Sequence, residues 1–248
     1  MKLIDDLIES VKENDAPVKN VTLGVSWTAV NARYCGLAKT YGIPVKHGNY
    51  VTDMGNLTQK NSLELAQYAK SWNLTEAGIG VAAINSMITL KKELIDLNAE
   101  NFVLEKGRDK KVVMVGAFPF MDKLKSISKQ MIVLELDPYQ LDAKKGVLPD
   151  SAAEYVIPDC DLFIITGSTL INKSMERLLS LARKSKPYTV VMGPSTVMSE
   201  ILFDYGADMI AGAEVINPDA IIRKISQSGG MINSKNCPGE IAFKIMQK

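Results

Sequence analysis

The stretch DLFIITGSTLIN (residues 161–172) joins an apolar run to a tight turn. Its first half is rich in β-branched and aromatic residues, which is typical of a strand buried on both faces. A glycine, a serine and a threonine follow directly, and serine and threonine are common helix caps. The same order returns in YTVVMGPSTVMS (188–199), with one proline after the glycine. The pattern predicts two strands that each end in a Gly-Ser-Thr elbow followed by a helix.

Further apolar runs lie on both sides of these elbows, at residues 111–118, 131–138 and 207–215. Helical patterns separate the runs, and this alternation is typical of a parallel sheet covered by helices on both faces. We therefore expect an α/β fold, with a doubly wound, mostly parallel, Rossmann-like sheet over residues 104–248. The segment EYVIP (154–158) is predicted to be a short edge strand.

The first hundred residues follow a different plan. An amphipathic helix at 2–13 precedes three β-prone segments, at residues 18–27, 32–41 and 43–51. Two helices then begin at the predicted caps Asn61 and Thr75. Because strands and helices are segregated, we expect a small α+β domain over residues 1–103. The polar segment 98–111 is predicted to be a linker.

Composition excludes several classes of protein. The chain has 248 residues, 46% of them apolar and 23% charged, with a net charge of +1. No basic excess points to nucleic acid, and no apolar run reaches the roughly 18 residues of a membrane span. Acidic residues within the first helix distinguish it from a signal peptide. We expect a cytoplasmic protein that binds neither nucleic acid nor membrane, with a homodimer as the commonest assembly.

Histidine and cysteine limit the chemistry. The single histidine, His47, excludes any zinc site that needs two histidines, and its position at a predicted strand end disfavours a Ser-His-Asp triad. The three cysteines lack the CxxC spacing of metal ribbons, so we predict buried or semi-buried free thiols at Cys35, Cys160 and Cys237.

The two elbows predict a ligand site. If the strand order is 3-2-1-4-5-6, both elbows face the crevice at the carboxyl edge of the sheet, where such folds bind ligands. Two helix N-termini at this crevice would favour a small anion, such as a carboxylate or phosphate. The turn after the first strand lacks G-x-G-x-x-G, so dinucleotide binding is not expected. An acid near the end of the second strand, Glu135 or Asp137, leaves a nucleotide-like cofactor such as S-adenosylmethionine open.

Five segments resemble a family of heavy-metal chelatases, namely GVAAINSMI, VVMVGAFPF, LELDP, IPDCDLFIITGSTLINKSMERLL and MGPSTVMSEILFDYGADMIAGAEVINPDAI. The resemblance covers nearly the whole chain. It implies an enolase N-terminal-like domain followed by a Rossmann-like domain, with a site in the cleft between them that handles metals or metal-bound cofactors. The matching positions are Asn85, Gly116, Phe118, Pro119, Glu135, Thr166, Gly167, Ser168, Thr169, Asn172, Gly193, Pro194, Ser195 and Thr196.

These observations define three functional hypotheses. The first is binding of a small anionic ligand, a divalent metal ion or a metal-bound cofactor in the cleft, with chelatase-like lyase activity. In it the elbow hydroxyls hold the anion, Asn85 and Asn172 orient it, and Glu135 is the candidate proton acceptor. Oxygen ligands for a hard ion are predicted at Glu135, Asp137 and Glu214. The second is an enzyme that uses a nucleotide-like cofactor, and the third is a sensor module without turnover.

Overall fold

The computed structural model describes residues 1–41, 50–90 and 99–248. His47 and most of the predicted strand 43–51 lie outside these residues. The described chain forms a three-stranded sheet and a seven-stranded sheet, with helices on their faces. The α/β class and the mostly parallel large sheet predicted from the sequence are confirmed.

Among the described residues, the N-terminal layer contains one antiparallel sheet and three α-helices. Helix α1 (Lys2–Val11) buries five side chains on one face, at Leu3, Ile4, Leu7, Ile8 and Val11. The sheet is a meander of strands β1 (Asn20–Leu23), β2 (Trp27–Asn31) and β3 (Cys35–Lys39). Helices α2 (Ser62–Ala66) and α3 (Leu74–Met87) follow.

The two predicted caps in this layer have different outcomes. Asn61 caps α2 in a reciprocal capping box with Glu64, as predicted. The predicted cap Thr75 is wrong, because Asn73 caps α3 and accepts a hydrogen bond from the Thr75 backbone N–H. Asn73 lies directly before the first helical residue, Leu74, and asparagine is among the preferred residues at this position because its side chain accepts from a free N–H of the first turn.

The large sheet has the order β10-β9-β8-β7-β4-β5-β6. Its strands are β4 (Lys111–Val115), β5 (Gln130–Glu135), β6 (Val147–Pro149), β7 (Leu162–Thr166), β8 (Tyr188–Met192), β9 (Met209–Val215) and β10 (Ile241–Gln247). Strands β4 to β9 are parallel, and β10 pairs antiparallel with β9. Counted from β4, this is the predicted order 3-2-1-4-5-6, with β10 added at one edge.

Six described α-helices accompany this sheet, namely α4 (Ala99–Gly107), α5 (Met121–Ile127), α6 (Ala153–Val156), α7 (Met175–Ser185), α8 (Ile201–Asp204) and α9 (Pro218–Ser226). Helix α4 replaces most of the predicted linker and spans the predicted domain boundary after residue 103. It forms because Val103, Leu104 and Gly107 pack into the core and outweigh the polar residues around them.

The predicted edge strand 154–158 is also wrong. That segment forms α6 and a 3-10 turn, and the edge strand is β6, which pairs with β5 from Val133 to Glu135. Strand β10 had no counterpart in the sequence-based prediction.

The middle strands of the large sheet are the most deeply buried. In β7, Phe163, Ile164 and Ile165 have no solvent exposure, in agreement with the apolar run that predicted this strand. One hydrophobic core continues from α1 and α3 into α7 and the large sheet, so the two sheets share buried contacts. The described cysteines are free thiols, with Cys35 and Cys237 buried and Cys160 partly buried. None of the described helices is long and apolar enough to cross a membrane.

Candidate functional site

The two elbows meet at the carboxyl edge of the large sheet. Residues 167–169 follow β7 and residues 193–196 follow β8, which is its hydrogen-bonded neighbour. The elbows touch through their backbones, because a Cβ placed on Gly167 would lie 2.4 Å from the Thr196 nitrogen. Gly116, at the end of β4, lies on the other side of β7. These segments surround the crevice between β4 and β7, where the strand order reverses.

The prediction that each elbow leads directly into an α-helix is wrong. The first elbow enters a 3-10 turn, Gly167–Leu170, and α7 begins only at Met175. The second elbow is a turn closed by the Thr196 N–H on the Gly193 carbonyl (2.9 Å), and α8 begins at Ile201. A 3-10 turn is short and makes poorer hydrogen bonds than an α-helix, so it has no large helix dipole. An anion bound at the elbows would therefore be held by individual hydrogen-bond donors.

Hydroxyl groups of the first elbow bond to one another and to the backbone. The Thr166 hydroxyl lies 3.0 Å from that of Ser168 and accepts a longer hydrogen bond from the Ser168 N–H. Thr169 donates to the Thr166 carbonyl at 2.7 Å. Ser168 and Thr169 are both buried. Thr169 is thus fully used within the turn, whereas Thr166 and Ser168 share hydrogen bonds that a ligand could join.

The second elbow serves mainly to join the two sheets. The Ser195 hydroxyl accepts a hydrogen bond from the backbone N–H of Lys39, at the end of β3 (2.8 Å). The Asn85 amide donates to the Leu37 carbonyl (2.9 Å) and makes a longer contact with the Ser195 carbonyl (3.5 Å). The Asn85 amide nitrogen and the Ser195 hydroxyl oxygen therefore form hydrogen bonds within the protein. The buried Thr196 hydroxyl has no hydrogen-bond partner among the described residues.

Replacing Ser195 with alanine is expected to lower the free energy of unfolding by about 1 to 2 kcal/mol. The change leaves the Lys39 N–H without its acceptor in a partly buried position, and an unsatisfied buried donor costs about 1–3 kcal/mol. Urea unfolding followed by circular dichroism measures the effect. Ser180→Ala, at an exposed position on α7, is the matched control. Equal midpoints for the two variants would contradict the role given to Ser195.

Tyr41 brings the N-terminal layer to the first elbow. It lies two residues beyond β3, and its phenol lies close enough to the Ser168 and Asn172 side chains to interact with them. Burial raises the pKa of Tyr41 and the charge of Glu135 raises it further, whereas the polar side chains of Ser168 and Asn172 lower it. The Asn172 side-chain oxygen accepts hydrogen bonds from the N–H and the hydroxyl of Ser174. Its side-chain nitrogen takes no part in these two bonds and can donate to a ligand.

Tyr41 could not be predicted as a site residue from the sequence, because a tyrosine just beyond a strand is common and the residues around it form no motif. Its phenol nevertheless lies near three predicted site residues, namely Ser168, Asn172 and Glu135. These four side chains form the cluster that we call the Tyr41 cluster.

An aromatic wall covers another side of the crevice. After Gly116 (φ 84°) the chain turns through Phe118 and the exposed Pro119. The Phe118 ring stacks on Phe120 at 5.4 Å between centroids. The same ring lies 3.8 Å from the position of a Cβ on Gly193. Phe118 thus extends from the end of β4 towards the end of β8 and occupies space that a dinucleotide pyrophosphate would need.

The three predicted metal-binding acids are not brought together. Glu135 accepts from the backbone N–H groups of Leu136 (2.7 Å) and Asp137 (3.2 Å). Asp137 caps the next turn, and a hydrogen bond from Gln140 holds its pKa below the usual range. Glu214 lies on β9, four strands from β5, which corresponds to about 19 Å at the usual strand spacing. The described residues contain no group of three or more His, Cys, Asp or Glu side chains that could hold a metal ion.

Lys173 is a second residue that sequence analysis missed. It is half-buried, adopts a left-handed backbone conformation (φ 68°) and donates to the Ile171 carbonyl at 2.7 Å. Burial lowers the pKa of Lys173 to about 8. The residues that the structure describes supply no carboxylate partner for it. Its position directly after Asn172 places a readily deprotonated amine next to the Tyr41 cluster in the chain.

The pKa of Lys173 predicts a pH-dependent stability. The folded chain releases this proton near pH 8, whereas an unfolded lysine holds it until about pH 10.4. Between these values the unfolded state binds more protons, so the free energy of unfolding is expected to rise with pH relative to Lys173→Met. Urea titrations of both proteins at several pH values between 7 and 10.5 test this. Curves that stay parallel throughout would contradict the lowered pKa.

Comparison with known proteins places the chain in a family. The family model DUF364, described as "Putative heavy-metal chelation", matches residues 98–243, and DUF4213, with the same description, matches residues 4–88. An uncharacterised protein of Methanocaldococcus jannaschii is 31% identical over 165 residues, which covers 64% of this chain. The match spans 62% of that relative's length.

Two solved structures share the fold. A DUF364-family protein of unknown function from Desulfitobacterium hafniense superposes with a TM-score of 0.81 at 24% identity, covering 100% of this chain and 97% of its own. A second, from Pyrococcus horikoshii, gives 0.79 at 20% identity, covering 99% and 98%. Because the family model covers more than half of the sequence, the chain belongs to the DUF364 family, which is described as "Putative heavy-metal chelation".

Proposed function

We propose that this protein binds a small anionic ligand or a metal-bound cofactor in the crevice at the carboxyl edge of its large sheet, beside the N-terminal layer, and that this binding serves heavy-metal handling. The observation that carries the proposal is the Tyr41 cluster. A phenol from the N-terminal layer lies near a hydroxyl, an amide and a carboxylate at the switch point of the large sheet. Ligands of such sheets bind at this point.

The donors of the crevice favour an oxyanion over a bare metal ion. Tyr41 and Ser168 offer hydroxyl groups, and Asn172 offers an amide N–H. Such groups hydrogen-bond to carboxylate oxygens but are weak ligands for the soft metals that thiolates and imidazoles select. The described residues also lack a three-ligand metal cluster. These features support a metal that arrives already held by an organic chelator, as cargo or substrate.

Two further groups fit such a complex. Glu135 uses its Oε1 atom for the backbone of residues 136 and 137, so Oε2 can reach a metal or a ligand hydroxyl. The Phe118–Phe120 stack supplies an apolar surface for the organic part of the ligand. A predominantly apolar wall with a few polar groups is the usual construction of a small-molecule site.

The test is isothermal titration calorimetry on metal-stripped protein with three titrants: Ni²⁺ alone, citrate alone, and the Ni²⁺–citrate complex. We expect the complex to bind more tightly than either component. Ser168→Ala combined with Asn172→Ala should weaken it at least tenfold, and Tyr41→Phe should weaken it without removing the ring. Ser180→Ala, on the exposed face of α7, is the control. Binding of the bare ion with equal or higher affinity, or full affinity in the double variant, would contradict the proposal.

A nucleotide-like cofactor is the second candidate. It is favoured by the position of Glu135 at the carboxyl end of β5, where an acid binds ribose hydroxyls in related strand orders. S-adenosylmethionine is therefore a fourth titrant, and Glu135→Gln should abolish its binding. If a bound ligand is recovered chemically unchanged after prolonged incubation, a binding module without turnover becomes the better description.

A further inference from the structure

A second cavity lies at the opposite edge of the large sheet. It has a volume of about 340 Å³ and lies at the amino ends of β7 and β8. Its lining includes Leu162 and Tyr188, the first residues of these strands. The elbows follow the carboxyl ends of the same two strands, so the two sites are separated by the length of the sheet. Cavities of 300 to 1,000 Å³ are the usual size for small-molecule sites. We call it the lysine cavity.

Cationic side chains dominate this cavity. Lys106, Lys110 and Lys186 line it, whereas Asp161 is the one acidic side chain among its lining residues. Asp161 already accepts a hydrogen bond from the Lys111 backbone N–H at 2.9 Å. Within residues 1–41, 50–90 and 99–248, no carboxylate forms an ion pair with any of the three lysines.

Other acids near the cavity are engaged elsewhere. Asp159 pairs with the Lys111 ammonium at 2.7 Å. Asp208, which lies close enough to Tyr188 to affect its pKa, accepts from the Thr189 N–H at 2.8 Å. The three lysines therefore give the cavity more positive charge than Asp161 can neutralise, and a bound anion would balance this charge.

One of the lysines, Lys106, is held in place by aromatic rings. The Lys106 ammonium lies 5.0 Å from the centroid of the Tyr188 ring and 5.6 Å from that of Phe102. Contact with two ring faces restricts the position of this long side chain while its N–H groups stay free to donate. Lys186 follows α7 in a left-handed backbone conformation (φ 57°), which sets the direction of its Cα–Cβ bond. A charged group held beforehand loses less entropy when a ligand binds.

We propose that the lysine cavity binds a small, multiply charged anion of the phosphate class, such as pyrophosphate or the terminal phosphates of an organic phosphate. Lysine ammonium groups bind phosphate as point charges, and three of them match an anion with more than one negative charge. Ser185 adds a hydroxyl to the lining, and Tyr188 and Pro187 add apolar surface for an organic substituent. This site lies outside the crevice and goes beyond the proposed function.

Titration calorimetry of the full chain with pyrophosphate tests the proposal. We expect one molecule to bind per chain, and the pair Lys110→Gln and Lys186→Asn to weaken binding at least tenfold. Asparagine at position 186 removes the charge and tolerates the left-handed conformation. The control pair is Lys144→Gln and Lys235→Gln, two exposed lysines outside the cavity whose removal changes the net charge equally. It should retain full affinity.

The crevice provides the second comparison. Ser168→Ala with Asn172→Ala should leave pyrophosphate binding unchanged if the anion occupies the lysine cavity. The proposal is overturned if pyrophosphate does not bind, if the control pair weakens binding as much as the cavity pair, or if only the crevice variant weakens it.

Discussion

Gly167→Ala is expected to lower the free energy of unfolding by about 3 kcal/mol and to abolish ligand binding in the crevice. A Cβ at this position would lie 2.4 Å from the Thr196 nitrogen and 2.5 Å from its Cα atom. Both are backbone atoms and cannot rotate away, so the first elbow (167–169) would have to move away from the second elbow (193–196). Overpacking a close contact costs about 1–3 kcal/mol, and this contact is at the severe end. The separation also displaces Ser168, which belongs to the Tyr41 cluster.

Two measurements check the Gly167 prediction, urea unfolding and titration of the ligand identified in the crevice. Gly230→Ala is the control, because the nearest atom to its Cβ, the Ser26 hydroxyl oxygen, lies at an ordinary 3.9 Å. This substitution should change the free energy of unfolding by no more than about 0.5 kcal/mol. An alanine at 167 that leaves both stability and binding at the level of the control would show that the elbows do not need their close contact.

Gly36→Ala is expected to be at least as damaging, with a loss of about 3 kcal/mol or more. Gly36 lies on β3 against α3, and a Cβ there would lie 2.0 Å from the Ala82 carbonyl oxygen and 2.4 Å from the Ser86 nitrogen. The strand and the helix would both have to move. Because Lys39 and Tyr41 follow on the same segment, the contacts of β3 with the second elbow and with the Tyr41 cluster would be lost as well.

Hydrogen exchange distinguishes the two glycine variants. In Gly36→Ala we expect faster exchange at the amides of β3 and α3, with β7 and β8 still protected. Gly167→Ala should instead expose the amides around both elbows. Unchanged protection of β3 in Gly36→Ala, together with a wild-type urea midpoint, would contradict the tight packing between β3 and α3.

The large sheet could be predicted from the sequence because its strands are buried on both faces. Such strands require continuous apolar runs, and the runs at β4, β5, β7, β8 and β9 were recognised for this reason. The edge strands of the large sheet are harder to recognise from the sequence. Strand β6 has only three residues, and its place depends on pairing with β5, whereas EYVIP has β-prone residues but forms a helical turn. Hydrogen-bond partners of this kind cannot be inferred from composition.

The candidate site was only partly predictable. The adjacency of the two elbows follows from the strand order, and both were identified from their repeated glycine, serine and threonine. The separate roles of Ser168 and Ser195 were not predictable, because the two residues look alike in sequence. Ser195 became a connection between the sheets only because the Lys39 N–H lies opposite it. Tyr41 was missed for the same reason, since its contacts come from distant parts of the chain.

The hydrogen bond between Lys39 and Ser195 has a consequence for the nascent chain. It joins residues 156 positions apart. At a synthesis rate of 5–20 residues per second, the ribosome needs roughly 8 to 30 s to progress from one residue to the other. Throughout that interval β3 has been synthesised, but the second elbow, whose Ser195 accepts the hydrogen bond from Lys39, has not. The crevice is therefore assembled late, and any ligand that requires both of its sides can act only on the nearly complete protein and cannot guide its early folding.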